Sequence, residues 1–402
     1  MKPARRPFAI ARCRVCGSSD LTSLFSLGNI YVSNFVPRRD ESLPKCPLEL
    51  VFCENCTLVQ LRHTAPQELL YSRHYWYRSG LNPVIAADLR QIATVVQGVV
   101  DLREGDAVLD IGANDGSLLK NYPEKLVRVG CEPARNLLPH LKKVTQEVIG
   151  DFWSEKAWEE IMGEKKAKVV TAIGMFYDMD EPNQFIADVS KVLAPDGVFV
   201  AQLMCLKSML EKNDLGNICH EHLEYYSYRS LRHLFESNGL EIFKVEENDI
   251  NGGSYRVFAR HLEKGSIGVS ERCSKEDVLA FHDRIDSNRR ECVKLVKDEV
   301  RKGKKVYAYG ASTKGNTILQ YYGLGKDLVR GVADKDRRKW GKVTVGTWIP
   351  ITGEAKVREK ADVMLVLPWA FWKAFQAREE AWLERGGRFI VPFPTTKVVG
   401  PP

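Results

Sequence analysis

The chain has 402 residues, 44% of them hydrophobic, and a formal net charge of +7. That is enough polypeptide for two or three cores, and no apolar run approaches a membrane span. The positive charge is scattered, with a basic start (Lys2, Arg5, Arg6, Arg12, Arg14) and a cluster from Lys335 to Lys342; such charge is ordinarily solvated surface. No basic stripe is interleaved with aromatics, which argues against nucleic acid and suits a phosphate-bearing small molecule. There are ten cysteines, but four fall in two Cys-x-x-Cys pairs and the N-terminus lacks the apolar core of a signal peptide. Metal is therefore favoured over disulfides, and the chain is read as cytoplasmic.

The first constellation is Cys13-Arg14-Val15-Cys16 with Cys53-Glu54-Asn55-Cys56. Two such knuckles supply four thiolates, the ligand set of a closed, structural zinc site. A redox pair is the competing reading. Strand-like pieces lie between and after them, at 48–52 and 58–61. Residues 71–100 read as connection and helix, with an aromatic cluster of Tyr71, Tyr75, Trp76 and Tyr77 that serves either packing or a wall over a ligand.

Val108 to Leu119 reads as strand, glycine turn, helix, with Asp110, Gly112, Asn114 and Gly116 in the turn. It is the first turn of a Rossmann-like sheet. The spacing is Gly-x-x-x-Gly, not the dinucleotide fingerprint. A second strand, 127–131, ends in Glu132-Pro133, where a carboxylate can accept both hydroxyls of a ribose. Asp-x-Gly-x-x-x-Gly followed by a strand-end acid resembles the S-adenosylmethionine methyltransferase pattern. A third unit offers Asp151 and Phe152 to an adenine, although Asp151 equally suits a helix cap. The next strand, 169–174, delivers Tyr177 and Asp178 to the same crevice.

The densest chemistry lies in Gly216 to Ser227. It packs two histidines, two carboxylates and two tyrosines into His220-Glu221-His222-Leu223-Glu224-Tyr225-Tyr226. A general base, a group that orients it and hydroxyls for an oxyanion all need these residue types. A wet strand face or a stray metal site is the plainer alternative. A strand at 197–203 precedes the stretch and a helix at 230–237 follows, which puts it at the carboxyl end of a sheet strand, where ligands bind in open α/β sheets. Late strands at 242–245 and 255–259 flank a turn at 251–254, and a long charged helix runs from Lys275 to Arg301. A second glycine-rich unit, Lys305 to Thr317, then puts Ser312, Thr313 and Lys314 at a helix N-terminus, suited to phosphate or simply to the fold. Strands at 328–334, 363–367 and 386–392 complete a smaller α/β unit.

These stretches together resemble the bacterial sugar C-methyltransferase family, over nearly the whole chain. The resemblance is carried by Cys13-x-x-Cys16-Gly17, Pro47-Leu48-x-Leu50-Val51-Phe52-Cys53-x-x-Cys56, Asp110-Ile111-Gly112-x-Asn114-Asp115-Gly116, Glu132-Pro133, His220-Glu221-His222, Gly252-Gly253-Ser254-x-Arg256, Gly310-Ala311-Ser312-x-Lys314-Gly315 and Gly386-Gly387-x-Phe389-Ile390-Val391-Pro392. It implies an α/β chain with an N-terminal zinc-binding module (1–70), a central Rossmann-like class I methyltransferase domain (71–265), a connecting helix (266–300) and a smaller C-terminal Rossmann-like domain (301–402). It implies S-adenosylmethionine held by Asp110, Gly112, Asn114, Gly116, Glu132, Pro133, Asp151 and Phe152, and a structural zinc on Cys13, Cys16, Cys53 and Cys56. The substrate it implies is a nucleotide-linked 4-keto deoxysugar, contacted by His220, Tyr226, Arg256, Ser312, Thr313 and Lys314, the last two with Ser312 and Arg256 near its phosphates. His222 is the base and Glu221 its support. The family often has tyrosine where this chain has Cys219 and histidine near Tyr177-Asp178, so Tyr177, Tyr225 or Tyr226 is expected to supply the missing hydroxyl. Neither nucleic acid nor membrane is expected as a partner, and the chain is expected as a monomer or weak dimer. An O- or N-methyltransferase would share the cofactor pocket, and a non-catalytic zinc-ribbon binding protein would need neither the turn nor His-Glu-His.

Overall fold

The computed structural model of the protein describes residues 7–66, 70 and 76–401. Tyr71 and Tyr75 of the aromatic cluster, and Lys2, Arg5 and Arg6 of the basic start, lie outside these residues.

The N-terminal unit is an antiparallel sheet of β1 (Leu21–Tyr31), β2 (Lys45–Cys53) and β3 (Val59–Leu61). Each Cys-x-x-Cys forms the same turn. Gly17 N–H donates to the Cys13 carbonyl and Thr57 N–H to the Cys53 carbonyl, and both Gly17 and Thr57 take positive φ, 70° and 65°. The two turns bring all four Sγ atoms within 4.8 Å of one another. Zinc–thiolate bonds of about 2.3 Å in a tetrahedron require sulfurs about 3.8 Å apart; the closest pairs here are 3.6 and 3.4 Å. The donor set therefore fits zinc, and with four protein ligands no position is left for reaction.

Apart from a small cluster of Val32, Cys46 and Ala65, this unit shares the cores of its neighbours. Cys13, Val15, Cys56 and Leu58 pack into the apolar cluster of the central sheet. Phe25, Leu27, Leu48 and Leu50 join the cluster of the C-terminal sheet. Arg14, in the first knuckle, is not the solvated charge its place in a basic run suggests. Its side chain is buried, donating to the Leu61 carbonyl (2.6 Å), Thr64 Oγ1 (2.8 Å) and Asp180 Oδ1 (3.2 Å), and lying 3.6 Å from Glu224 Oε1.

The central sheet comprises β4 (Ala107–Ile111), β5 (Val127–Cys131), β6 (Glu147–Ile149), β7 (Ala167–Ile173) and β8 (Leu193–Met204), all parallel. After β8 the chain enters the His-Glu-His stretch, which ends in a two-residue strand, β9 (Glu224–Tyr225). Then β10 (Leu240–Asn248) and antiparallel β11 (Ser254–His261) extend the central sheet. Counted within that sheet, the order is 3-2-1-4-5-7-6. The continuous apolar character of β4, buried at all five positions, is what a parallel strand covered on both faces requires. β9 joins the N-terminal sheet instead, pairing with β3.

The helix Lys275–Arg301 (α4) keeps the limits read from its charged run but not the 266 start of the connecting segment, because a Ser274–Asp277 capping box begins it. It is more than a connection. Val278, Phe281, Ile285, Cys292 and Val296 form a buried stripe at helical spacing, and His282 stacks on Phe25 with ring centres 4.4 Å apart. The C-terminal sheet contains β12 (Val306–Tyr309), β13 (Val332–Asp334), β14 (Ile351–Gly353), β15 (Val363–Val366), β16 (Arg388–Val391) and antiparallel β17 (Lys397–Val399), in the order 3-2-1-4-5-6. The strand predicted as last is thus followed by one more. Among the described residues no helix is long and apolar enough to cross a membrane.

Protein purified without added metal should carry about one zinc per chain, and Cys53→Ser should lose it. Metal analysis beside a thiol count checks this; a folded wild-type chain with four titratable thiols and no zinc contradicts it.

Candidate active site

Both α/β sheets reverse their strand order between the first and fourth strands, the point where open sheets form a ligand crevice. One cleft of about 580 Å³ is lined by both sheets, while Gly112, Glu132, Asp151 and Phe152, expected to hold a cofactor, are not among the residues that line it. Gly174, Gln202 and Met204 line it from the carboxyl ends of β7 and β8; Tyr309, Gly310, Asp334 and Leu367 line it from the ends of β12, β13 and β15. Its size is that of a small-molecule site.

On the cofactor side, Gly112 takes φ 72°, and a Cβ there would sit 2.7 Å from Met175 Cγ, so only glycine fits the turn. Glu132 ends β5 with Oε2 accepting Asn114 N–H (2.9 Å) and Oε1 accepting Ala134 N–H (2.8 Å). Each carboxylate oxygen keeps a free lone pair, so ribose hydroxyls fit. Pro133 follows directly, and Phe152 presents a ring 42% exposed beside Asp151, whose carbonyl accepts from Cys131 Sγ at the β5 end (3.4 Å). Asp151 Oδ1 accepts its neighbour's N–H, from Phe152.

Three expected cofactor residues are engaged within the protein. Asp110 is buried beneath the turn, its Oδ1 accepting from Thr171 Oγ1 (2.6 Å), and burial pushes its carboxyl up to about 7. A Cβ on Gly116 would meet Val144 Cγ2 at 2.2 Å, so that glycine admits a packing side chain rather than a ligand. Asn114, at φ 51°, accepts from Ser79 N–H and donates to the Tyr77 carbonyl, while Asp115 binds Gly80 N–H and Arg78. They hold the 77–80 segment, which begins in the aromatic cluster read from the sequence as packing or a wall over a ligand. Trp76, Tyr77 and Arg78 line the cleft, and Trp76 Nε1–H also donates to Asn34 Oδ1 (3.1 Å).

On the reactive side, His222 is buried with its ring edge-on to Tyr177, centres 4.6 Å apart. Its Nδ1 lies 2.8 Å from the Asn217 carbonyl oxygen. A carbonyl only accepts, so Nδ1 carries the hydrogen and Nε2 keeps the lone pair. Burial, reinforced by the Lys314 ammonium, holds the imidazole well below the usual histidine range, so it is neutral at ordinary pH. Glu221 lines the same cleft; burial raises its carboxyl, against the pull of the Thr313 hydroxyl and Lys314.

Other expected residues turn away. His220 does not line the cleft: its Nε2 donates to the Cys46 carbonyl (2.9 Å) of β2, and burial lowers it to about 4. The segment is a turn, not extended, so the two rings diverge for a reason other than strand alternation. Tyr226 stacks on Phe176 inside the core. Tyr225 borders only a void of about 10 Å³ behind His222. Tyr177 lines the cleft, but its hydroxyl donates to the Gly174 carbonyl (2.9 Å). Arg256 is committed to Asp88 Oδ1 (2.7 Å) and Gln202 Oε1 (2.8 Å) and is buried, so it orients two cleft-lining residues rather than reaching a phosphate. Ser312 accepts Gly315 N–H as the cap of α5 (Thr313–Tyr322). The sequence analysis missed Lys335, Lys339, Trp369 and Arg378, all on the cleft wall. The basic cluster at 335–342 was the available signal, read there as surface.

Known proteins share this plan. Three family models match in series: a zinc binding domain over residues 13–71, a methyltransferase domain over 83–245 and a C-methyltransferase C-terminal domain over 249–394. C-methyltransferase NovU of Streptomyces niveus is 32% identical over 411 residues, taking in 97% of this chain and 97% of that protein. Solved structures give a partial likeness. The CcbJ methyltransferase from Streptomyces caelestis matches at 15% identity and a TM-score of 0.34, over 44% of this chain and 90% of that one. The mitomycin 7-O-methyltransferase MmcR matches at 20% and 0.35, over 45% and 55%.

Two measurements follow from the site. With Glu132 proposed as the acceptor for both ribose hydroxyls, each charge-assisted bond being worth roughly 1.5–3 kcal/mol, Glu132→Ala should lower S-adenosylmethionine affinity at least about tenfold by calorimetry, and an unchanged affinity refutes the assignment. His220 is held neutral in the fold at about 4 against about 6.5 unfolded. The unfolded chain therefore binds more protons between those values, and stability from this group is full above pH 6.5 and lost as pH falls toward 4, by up to about 1.4 kcal/mol per unit. Raised carboxyls such as Glu221 act in the opposite sense, so the test is a difference: urea unfolding at pH 7 and pH 5 should show a smaller loss in His220→Gln than in the wild type.

Proposed function

The chain belongs to the C-methyltransferase family, and from that premise we propose that it methylates carbon 3 of a nucleotide-linked 4-keto deoxysugar, with His222 as general base. It is an S-adenosylmethionine-dependent enzyme; when bound, that group supplies an electrophilic methyl carbon. The observation that carries the proposal is the imidazole of His222, buried, neutral and locked by Asn217 in the tautomer whose Nε2 is basic.

A ketone at C4 acidifies the proton on C3. Nε2 removes it, and the charge moves to the C4 oxygen, where a pre-set donor is worth most in a water-poor site. The wall of Tyr177 keeps the imidazole from rotating. The donor set of Cys13, Cys16, Cys53 and Cys56 holds zinc for structure and takes no part in the chemistry. A nucleotide suits the part of the cleft where Trp369 and Phe371 offer rings and Lys335 and Lys339 offer charge; Arg378 stands there too, already bonded to Glu354 (2.8 Å) and the Tyr309 hydroxyl (2.6 Å). Ser312 and Thr313 line the same cleft as His222. The enzyme is read as cytoplasmic, since ten free cysteines, four of them zinc thiolates, call for a reducing compartment. It is read as working alone or as a weak dimer.

His222→Asn keeps size and polarity but lacks the base. With a panel of nucleoside diphosphate 4-ketosugars, it should lose about a hundred- to ten-thousandfold in rate and bind S-adenosylmethionine as before. Mass spectrometry of the wild-type products, with deuterium uptake at C3 in heavy water, separates C-methylation from O- or N-methylation. Parental turnover by His222→Asn removes the histidine from its role.

A further inference from the structure

Lys314 belongs to the C-terminal unit, second in α5, yet its ammonium crosses the cleft to the central unit. Nζ donates to Asn217 Oδ1 (3.0 Å) and lies 2.9 Å from Met204 Sδ. A thioether is a weak acceptor, so only one of the three ammonium hydrogens has a good partner among these contacts. Asn217 is the residue whose backbone carbonyl orients His222. Cation and base are therefore tied to the side chain and main chain of one residue, and both line the cleft. The charge is also felt by the two buried carboxyls nearby, Glu221 and Asp214, each of which it pulls down against burial. The sequence assigned Lys314 to phosphate because it follows a glycine turn. The fold directs it to the reactive side instead, while Lys335, Lys339 and Arg378 remain on the other wall.

We propose that Lys314 is a catalytic residue, whose ammonium donates to the C4 oxygen of the keto sugar and carries the charge that develops there. The proposal rests on the reading of His222 as base. The C3–H bond breaks, its proton goes to His222 Nε2, its electron pair forms the C3–C4 double bond, and the carbonyl pair moves onto oxygen beside Nζ. C3 then bonds to the methyl carbon while the methyl–sulfur bond breaks with its pair kept by sulfur. The C4 carbonyl re-forms and His222 returns its proton to solvent. Nothing is oxidised or reduced by an outside reagent. The base thus comes from the central unit and the oxyanion donor from the C-terminal unit, so neither holds a complete site.

The test compares Lys314→Met with the wild type on thymidine, uridine and guanosine diphosphate 4-keto-6-deoxyhexoses. At saturation, kcat and the rate of C3 deuterium uptake without methyl donor should both fall roughly a hundred- to a thousandfold, as for loss of one oxyanion donor. Affinities for S-adenosylmethionine and for the matching nucleoside diphosphate should stay within about threefold. Lys314→Arg keeps a cation but not its position; it should lose at least tenfold in deuterium uptake, whereas a phosphate site would accept it at full rate. Weakened diphosphate binding with unchanged uptake at saturation overturns the proposal and returns Lys314 to the phosphates. If the wild type takes up no deuterium from any of these sugars, the keto-sugar reading fails and the proposal fails with it; uptake that is equal in wild type and both variants refutes the role of Lys314 alone.

Discussion

The site depends on a two-residue strand pairing. β9 is too short to be stable alone, and it borrows its place from the zinc unit, with Glu224 opposite Gln60 and Tyr225 opposite Val59. Leu61 N–H donates to the Leu223 carbonyl (2.9 Å), and Leu223 N–H donates to the Tyr177 carbonyl (2.8 Å). The residue after His222 is thus held on one side by the N-terminal sheet and on the other by the central unit. His220, bonded to the Cys46 carbonyl, pins the other side of the turn to β2. A histidine proposed as the base toward a carbon acid needs such support.

This accounts for a metal remote from the reaction. The two knuckles fix Arg14, and Arg14 ties β3 to Asp180 and approaches Glu224 at 3.6 Å. A buried charge of this kind is a liability when its partner is lost, at a cost of about 3–5 kcal/mol. It therefore favours the one arrangement of the loop in which all its acceptors are present. The zinc unit spreads its apolar side chains over two other cores, so its position relative to the cleft is set by packing as well as by hydrogen bonds.

Burial explains the electrostatics of the loop. Glu221, Glu224, His220 and His222 are all largely removed from water, and desolvation disfavours their charged forms: the carboxyls rise and the imidazoles fall. A neutral imidazole with a fixed tautomer is what proton abstraction from carbon requires. The same low-dielectric setting makes a single ammonium from across the cleft a strong influence, which is why the approach of the C-terminal sheet matters to the central one.

Local rules were sufficient for much of this. Two Cys-x-x-Cys turns, a Gly-x-x-x-Gly turn before an acid-ended strand, and α4 with its cap are each dictated by a few neighbouring residues, because ligand geometry, positive φ and helix capping are short-range. The concentration of acid–base residues at 220–226 was equally visible. Tertiary structure alone decided which way they face. His220, Tyr226 and Arg256 carry the right chemistry but were claimed by Cys46, Phe176 and the Asp88–Gln202 pair, while Lys335 and Lys339, visible in the sequence only as a basic cluster of surface character, came to the cleft wall. Polar side chains in a buried turn must take the nearest available partner; for His220 that partner is a carbonyl of β2, 174 residues away in the chain, and for His222 it is Asn217, five residues back. A linear pattern can name the groups able to do the chemistry, but only the packing of three units around one loop determines which of them are free to do it.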